Sequence, residues 1–232
     1  MTDEERIRAV EAFLKEKLRN GSYMKAHPAD LAYRIEHSYR VGNIGRTIAL
    51  REGFDVTEMT VACLLHDVAY CEDFDPETGW KNHGRHSARI ARPFLERLGF
   101  APERVQDMCY GIAIHVDDRA DFDGVRTPFA ETISDADNID RFDAYRIYET
   151  LQQRHFSELP LAEKSEHAEK TLAGLARLRE MKLATKTAAE LWRGRIGFYT
   201  DFYERLRAQL EAGAEIRRRD EMTEREIEPW RK

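Results

Sequence analysis

The chain has 232 residues, 42% hydrophobic and 34% charged with both signs interspersed, a balance that fits a globular, helix-rich fold. A formal net charge of −6 excludes the electrostatic footprint of a nucleic-acid-polymer binder, while small anions can still be held by local basic side chains. Three cysteines with no CxxC pair indicate a reducing, cytoplasmic setting, the charged start Met1-Thr2-Asp3-Glu4-Glu5-Arg6 is not a secretory leader, and no apolar run approaches the ~20 residues needed to span a membrane.

Thr2 and Glu5 have the spacing of a capping box, and Ile7, Val10, Phe13, Leu14 and Leu18 continue at helical spacing until Asn20-Gly21 stops the helix. His27-Pro28 falls in the following loop, with His27 a solvated surface residue. A second helix is expected from an Asp30 cap to about Glu52, with Gly53 at its end. Ile35, Val41, Ile44 and Ile48 form its apolar face and leave His37 near the buried side. A third helix starts at Asp55 or Thr57, turns Met59, Ala62, Cys63 and Leu65 inward, and delivers His66 and Asp67. The segment Cys71 to Asn82 has acidic residues, Pro76, Gly79 and no period, and is expected to be a surface loop. A fourth helix follows from near His83 to Gly99, with Pro93 either kinking it or marking a later start. Pro102 opens a fifth, in which Val105, Met108 and Ile112 lead to His115. Pro128 opens a sixth containing Ile133, Ile139, Phe142, Tyr145 and Ile147, and Asp135, Asp137, Asp140 and Asp143 all lie on it. Two long amphipathic helices close the pattern, about Leu161 to Met181 and Thr185 to Leu210. Their inner faces are marked by Leu172, Leu175 and Leu178, then Leu191, Ile196, Tyr199 and Phe202. A mixed-charge tail after Gly213 lies frayed or on the surface. The fold class is all-α. A single domain is expected, with a core over about 25–150 and C-terminal helices over 151–232 packing on it.

Within this order the stretch Leu64-Leu65-His66-Asp67 stands out. An imidazole and a carboxylate at the end of a buried apolar run are costly unless compensated, and a divalent metal is the strongest compensator. His37, His66, Asp67, His83, His86, His115 and Asp137 fall in successive elements and include five of the eight histidines. That distribution suits a site in a helical bundle, with ligands converging from several helices.

These residues resemble the HD superfamily of metal-dependent phosphohydrolases, an all-α fold with a metal site in the core of its helical bundle. The likeness rests on His37 within Ile35-Glu36-His37-Ser38-Tyr39-Arg40-Val41, on Leu64-Leu65-His66-Asp67, and on Ser134-Asp135-Ala136-Asp137. It extends to His83-Gly84-Arg85-His86-Ser87-Ala88, to Ile112-Ala113-Ile114-His115 and to the closing helix pair, as in small stand-alone bacterial members. It covers the chain from about Ala32 to Leu206. The resemblance implies His37, His66, Asp67 and Asp137 as ligands of one metal. His83 and His115 match the ligands of a second ion in those members that carry two, with Asp67 bridging. His86 competes with His83, which is preferred.

Nitrogen and carboxylate ligands suit one or two ions of Mn, Fe, Co, Ni or Zn, and the lack of cysteine ligands argues against a closed structural zinc. Cys71 is not expected to be a ligand. A metal-activated water attacking a phosphate ester or anhydride would need a proton acceptor. Asp67 contributes through the metal, Glu72 and Asp73 are the candidate bases, and Asp117 and Asp118 are alternatives. Arg40, one turn after His37, and Lys81 and Arg119 are the candidate phosphate grips, with Arg85 nearby. Asp135 falls on a different face from Asp137, and Asp140 either supports a ligand or bonds a nearby arginine. Tyr70 and Trp80 are candidates for a pocket wall, whereas His155 and His167 are expected to be uninvolved. The expected function is hydrolysis of a small phosphorylated molecule, a nucleotide first, with no membrane or nucleic-acid polymer as partner and a homodimer as one possible assembly. A di-iron oxygenase is the alternative, and a non-catalytic metal- or nucleotide-binding module the third reading.

Overall fold

The computed structural model describes residues 1–73 and 79–214, and among them it is all helical. Pro76 in the expected acidic loop and the expected tail beyond residue 214 lie outside the described residues. Two compact units emerge. The first takes in Met1–Arg141 and Lys182–Trp192, and the second Phe142–Met181 and the chain from Arg193 onward.

The first unit is built around α4 (Val56–Leu65). Asp55 caps its start by accepting the Glu58 N–H at 2.9 Å, and every residue from Thr57 to Leu65 is buried. A helix covered on all sides shows no amphipathic period, so the inward face expected at Met59, Ala62, Cys63 and Leu65 is only part of what is buried. Around it pack α1 (Asp3–Asn20), α3 (Pro28–Glu52), α6 (Pro102–Ile114) and α7 (Pro128–Asp140), with α5 (Gly79–Arg97) against α6. The capping box on α1 is complete, with the Thr2 N–H donating to Glu5 at 2.7 Å and the Glu5 N–H to Thr2 at 3.2 Å. A short helix, α2 (Ser22–Ala26), precedes α3.

Three boundaries differ from expectation. Helix α3 begins at Pro28 and not at an Asp30 cap, because Pro28 occupies the first helical position, where its missing N–H costs nothing; Asp30 instead accepts the Tyr23 hydroxyl at 3.2 Å. Helix α5 begins at Gly79, so Trp80, Lys81 and Asn82 are helical residues and not loop, and Pro93 lies inside the helix. The single helix expected from Pro128 through Ile147 is two, because Arg141 closes α7 and Asp143 caps a new helix, α8 (Ala144–Gln153). The expected stop at Gly53 is present in the left-handed conformation at φ 77°, with its N–H on the Ala49 carbonyl.

Helix α3 reaches α4 along a face smoothed by glycine. A Cβ built on Gly45 would stand 2.4 Å from the Cys63 sulfur, so this residue sets how closely the helix bearing His37 approaches the helix bearing His66.

The second unit contains α8, α9 (Leu161–Leu178) and most of α10 (Lys186–Ala212), whose first residues to Trp192 belong to the first unit. Ile147, Ala168, Leu175, Ile196, Tyr199 and Tyr203 form its interior, and the Tyr203 hydroxyl lies 3.1 Å from His167 Nε2. Trp192 and Tyr203 are fully buried on the same α10 face as Ile196 and Tyr199, at i, i+4, i+7 and i+11 spacing, whereas Leu191 and Phe202 at its margin are part-buried. No helix among the described residues is long and apolar enough to cross a membrane.

The α3–α4 contact gives a direct test. Gly45→Ala should lower stability by about 1–3 kcal/mol through overpacking. In the Cys63→Ala background the same change should cost measurably less, with a coupling on the order of 1 kcal/mol in a urea-denaturation double-mutant cycle. Strict additivity of the two changes would refute the contact.

Candidate metal centre

Four helices carry four imidazoles to one place. His66 closes α4 as its C-cap, and its Nδ1 lies 2.7 Å from the Cys63 carbonyl oxygen three residues back. His115 ends α6 in the same way, with Nδ1 2.7 Å from the Ile112 carbonyl. His83, in the first turns of α5, places Nδ1 2.5 Å from the Trp80 carbonyl. His37 is the exception: its Nδ1 lies 2.8 Å from Asp140 Oδ2 on α7.

In every case Nδ1 faces an oxygen acceptor, which suits an N–H at Nδ1 and makes Nε2 the ligating nitrogen of the neutral ring. All four Nε2 atoms then point at one another and at two carboxylates. His37 Nε2 is 3.2 Å from His66 Nε2, and His83 Nε2 is 3.1 Å from His115 Nε2. Asp67 lies between the two pairs. Its Oδ2 is 3.6 Å from both His37 and His66, and its Oδ1 is 3.1 Å from His83 and 3.5 Å from His115. Asp137 Oδ1 stands 3.2 Å from His37 Nε2 and 3.8 Å from His66 Nε2. Imidazole nitrogens this close to one another need a proton or a metal ion between them.

Without an ion, protons supply part of the positive charge: burial disfavours a charged His37, yet the Asp137 and Asp140 carboxylates raise its pKa to about 9, so at neutral pH its Nε2 also carries a proton that a bound cation would displace. Burial lowers His66 to about 4. Burial also opposes ionisation of Asp67, but His66, His115 and His83 hold it well below the usual carboxylate range. Asp137 is lowered against burial by His37 and His66. Even so, Asp67 Oδ1 is a buried oxygen with no hydrogen-bond donor. An orphaned carboxylate oxygen facing two imidazole nitrogens is what a cation would satisfy. Three overlapping groups could hold one: His37, His66 and Asp67; His66, His115 and Asp137; and Asp67, His83 and His115.

The other candidates are placed as follows. His86 is part-exposed and its Nδ1 is 3.8 Å from Glu72, so His83 and not His86 faces Asp67. Glu72 and Asp73 are exposed beyond the 3-10 turn Val68–Cys71 and belong to none of the three groups. Asp117 accepts from Arg85 at 2.7 Å, and Asp118 pairs with Arg126. Arg40 directs its Nε to Asp140 Oδ1 at 2.8 Å. Lys81 and Arg119 are exposed, with Lys81 Nζ 5.3 Å from the Trp80 ring centroid. Asp135 turns away and accepts the Ala184 N–H at 2.7 Å. Cys71 is buried and in none of the groups.

Sequence reasoning passed over two residues. Arg34 donates to Asp67 Oδ2 at 2.9 Å and lies 3.4 Å from the Tyr70 ring centroid. Its signal was available, because it sits three residues before His37 and so on the same helix face. The buried Ser87 hydroxyl accepts the Ala69 N–H at 3.0 Å, tying the turn after Asp67 to the helix that carries His83. Ala69 and Ser87 come together only through the fold.

Residues 34–141 match the family model described as HD domain. The chain is an HD-domain protein. The match begins at Arg34 and takes in all six clustered residues. Among curated proteins, none matches the sequence. Solved structures similar to this HD-domain protein include an HD-superfamily hydrolase from Bacillus thuringiensis, at 19% identity and a TM-score of 0.63, covering 92% of this chain and 100% of the other. A predicted HD superfamily hydrolase from an uncultured Thermotogales bacterium aligns at 22% identity and a TM-score of 0.58, covering 87% and 91%. Bacillus subtilis YpgQ, solved in complex with ADP, aligns at 19% identity and a TM-score of 0.61, covering 90% and 97%. At these identities the likeness is one of fold.

The approach of α5 to α6 brings His83 to His115, and it too depends on a glycine. A Cβ on Gly84 would lie 2.7 Å from the Ala113 carbonyl oxygen and 3.1 Å from His115 Nδ1. Gly84→Ala should push the two helices apart and reduce Mn²⁺ bound per chain, measured after equilibrium dialysis, with far-UV circular dichroism preserved. Unchanged uptake would show that the His83–His115 spacing does not matter to the centre.

Proposed function

We propose that this protein is a metal-dependent phosphohydrolase of small phosphorylated molecules, with nucleotides the first class to test. One observation carries the reading: a buried Asp67 carboxylate with each oxygen turned to a separate pair of imidazoles. His37, His66, Asp67 and Asp137 would hold one divalent ion of Mn, Fe, Co, Ni or Zn, and Asp67, His83 and His115 a second. When bound, such ions supply an activated water at neutral pH and neutralise phosphoryl charge.

The protein's own groups do the rest. Their Nδ1 contacts hold the imidazoles in the ligating tautomer. Arg34, laid on Tyr70, presents a guanidinium beside Asp67 where an anionic substrate would approach, which suits a phosphate. Lys81 and Arg119, exposed beside His83 and His115, are further phosphate contacts in this reading, and Arg40 supports His37 through Asp140. Glu72 and Asp73 stay the candidate proton acceptors on the exposed side. The ADP bound to YpgQ, a protein of the same fold, is consistent with a nucleotide substrate.

The same six donors also suit a di-iron oxygenase. Two irons per chain with substrate-dependent O₂ uptake and no phosphate release would select that reading. For the hydrolase, a panel of nucleoside mono-, di- and triphosphates with Mn²⁺ or Co²⁺ should release phosphate or pyrophosphate. Asp67→Ala should abolish both turnover and metal content, by at least about a hundredfold in rate. His115→Ala should lose one of two ions. Retention of activity and metal by Asp67→Ala would sink the assignment.

A further inference from the structure

The two halves of the cluster are built differently. Three of the four imidazoles, His66, His83 and His115, are oriented by the main-chain carbonyl three residues earlier on their own helix. His37 alone is oriented by a carboxylate, Asp140 Oδ2 at 2.8 Å, brought from another helix. Asp140 is itself buried, and its second oxygen accepts Arg40 Nε at 2.8 Å. With both oxygens engaged, Asp140 cannot swing in to become a ligand. It can only act through His37.

A carboxylate on an imidazole N–H forms a charge-assisted bond, stronger than one to a carbonyl, and makes the opposite nitrogen a better donor. The donor count leans the same way. The His37–His66 half has two imidazoles, Asp67 Oδ2 and the nearby Asp137 Oδ1. The His83–His115 half has two imidazoles and Asp67 Oδ1. Exposure does not separate the halves, since the Asp137 side chain at 14% is comparable to that of His83 at 12%, while His37, His66 and His115 are all at 4% or below; the orienting carboxylate and the donor count do. One ligand atom each of His66, His115 and Asp137 also lie within 4.8 Å of one another, so the halves form one continuous cluster and are distinguished by their surroundings.

We infer that Asp140 is a positioning residue that makes the centre unequal: the His37–His66–Asp137 half takes the first divalent cation tightly, and the His83–His115 half takes a second, weaker and exchangeable one. This rests on the metal-ligand reading of the six residues, but not on which bond is hydrolysed. The resting protein at low metal concentration then holds one ion, and the second loads as free metal rises.

The test is a Mn²⁺ titration of the ion-free full-length chain, with free Mn²⁺ read by electron paramagnetic resonance. Wild type should bind two equivalents, the first at least about tenfold tighter than the second. Asp140→Asn should weaken the first by about 10–100-fold and the second by less than about threefold, narrowing the gap. His83→Ala should remove only the second equivalent. In the ion-free protein, Asp140→Asn should move the His37 ring ¹⁵N resonances while His66, His83 and His115 keep their tautomer pattern, a change that general loosening would not confine to one ring. Should Asp140→Asn fail to fold, the wild-type isotherm and Asp140→Glu, which keeps the charge and should keep the tight equivalent, decide the matter. Two equal equivalents in wild type, or equal weakening of both by Asp140→Asn, would overturn the inference. No uptake at all would overturn it together with the metal reading. Unequal uptake without phosphate release would support it and defeat the phosphohydrolase reading alone.

Discussion

Two carboxylates, Asp67 and Asp137, sit among four imidazoles whose proton-bearing nitrogens are already committed elsewhere. That is the constraint on which the first unit depends. Buried negative charge without compensation is expensive, and Nε2 atoms 3.1–3.2 Å apart in both imidazole pairs need a proton or an ion between them. The surrounding helices keep this unfavourable set in place. Helix α4 is buried on every side, which fixes His66 and Asp67 at its end. Helix α3 comes close because Gly45 leaves room for Cys63, and α5 because Gly84 leaves room for the end of α6. A cation that satisfies Asp67 Oδ1 would remove part of that cost.

The supporting contacts are as informative as the clustered atoms. A carbonyl at i−3 is cheap for a helix to provide near its end, where carbonyls lack helical partners, which fits the place of His66 and His115 as the C-caps of α4 and α6. The Asp140 contact to His37 requires two separate helices to agree in position, and Arg40 is spent on holding it. A basic residue one turn after His37 is thus part of the scaffold of the centre, and Arg34, one turn before, is the guanidinium that reaches the Asp67 carboxylate.

Much of this was legible in one dimension. Helix starts were readable where a local device makes them, as with the Thr2–Glu5 box, Asp55, Pro102 and Pro128. They were misread where Pro28 displaced Asp30, and where Gly79 began a helix earlier than the aperiodic, acidic composition suggested. The break at Arg141–Asp143 was hidden because the apolar residues on either side continue at spacings compatible with one helix. The buried surface of α4 was under-read because periodicity reports a boundary between wet and dry faces, and a helix covered on all sides has none.

The sequence by itself determined an all-α chain, the helices that bear His37, His66, Asp67, His83, His115 and Asp137, and the chemical character of the set, because residue type and helical spacing are local properties. Only the tertiary structure decided that Asp67 divides its oxygens between two imidazole pairs, that His83 rather than His86 faces it, and that Asp140 reaches His37 across 103 positions of chain while Asp135 turns to Ala184. Those outcomes depend on how helices distant in sequence rotate and approach one another, which is set by packing against α4 and by the space left at two glycines, and no window of local sequence carries that information.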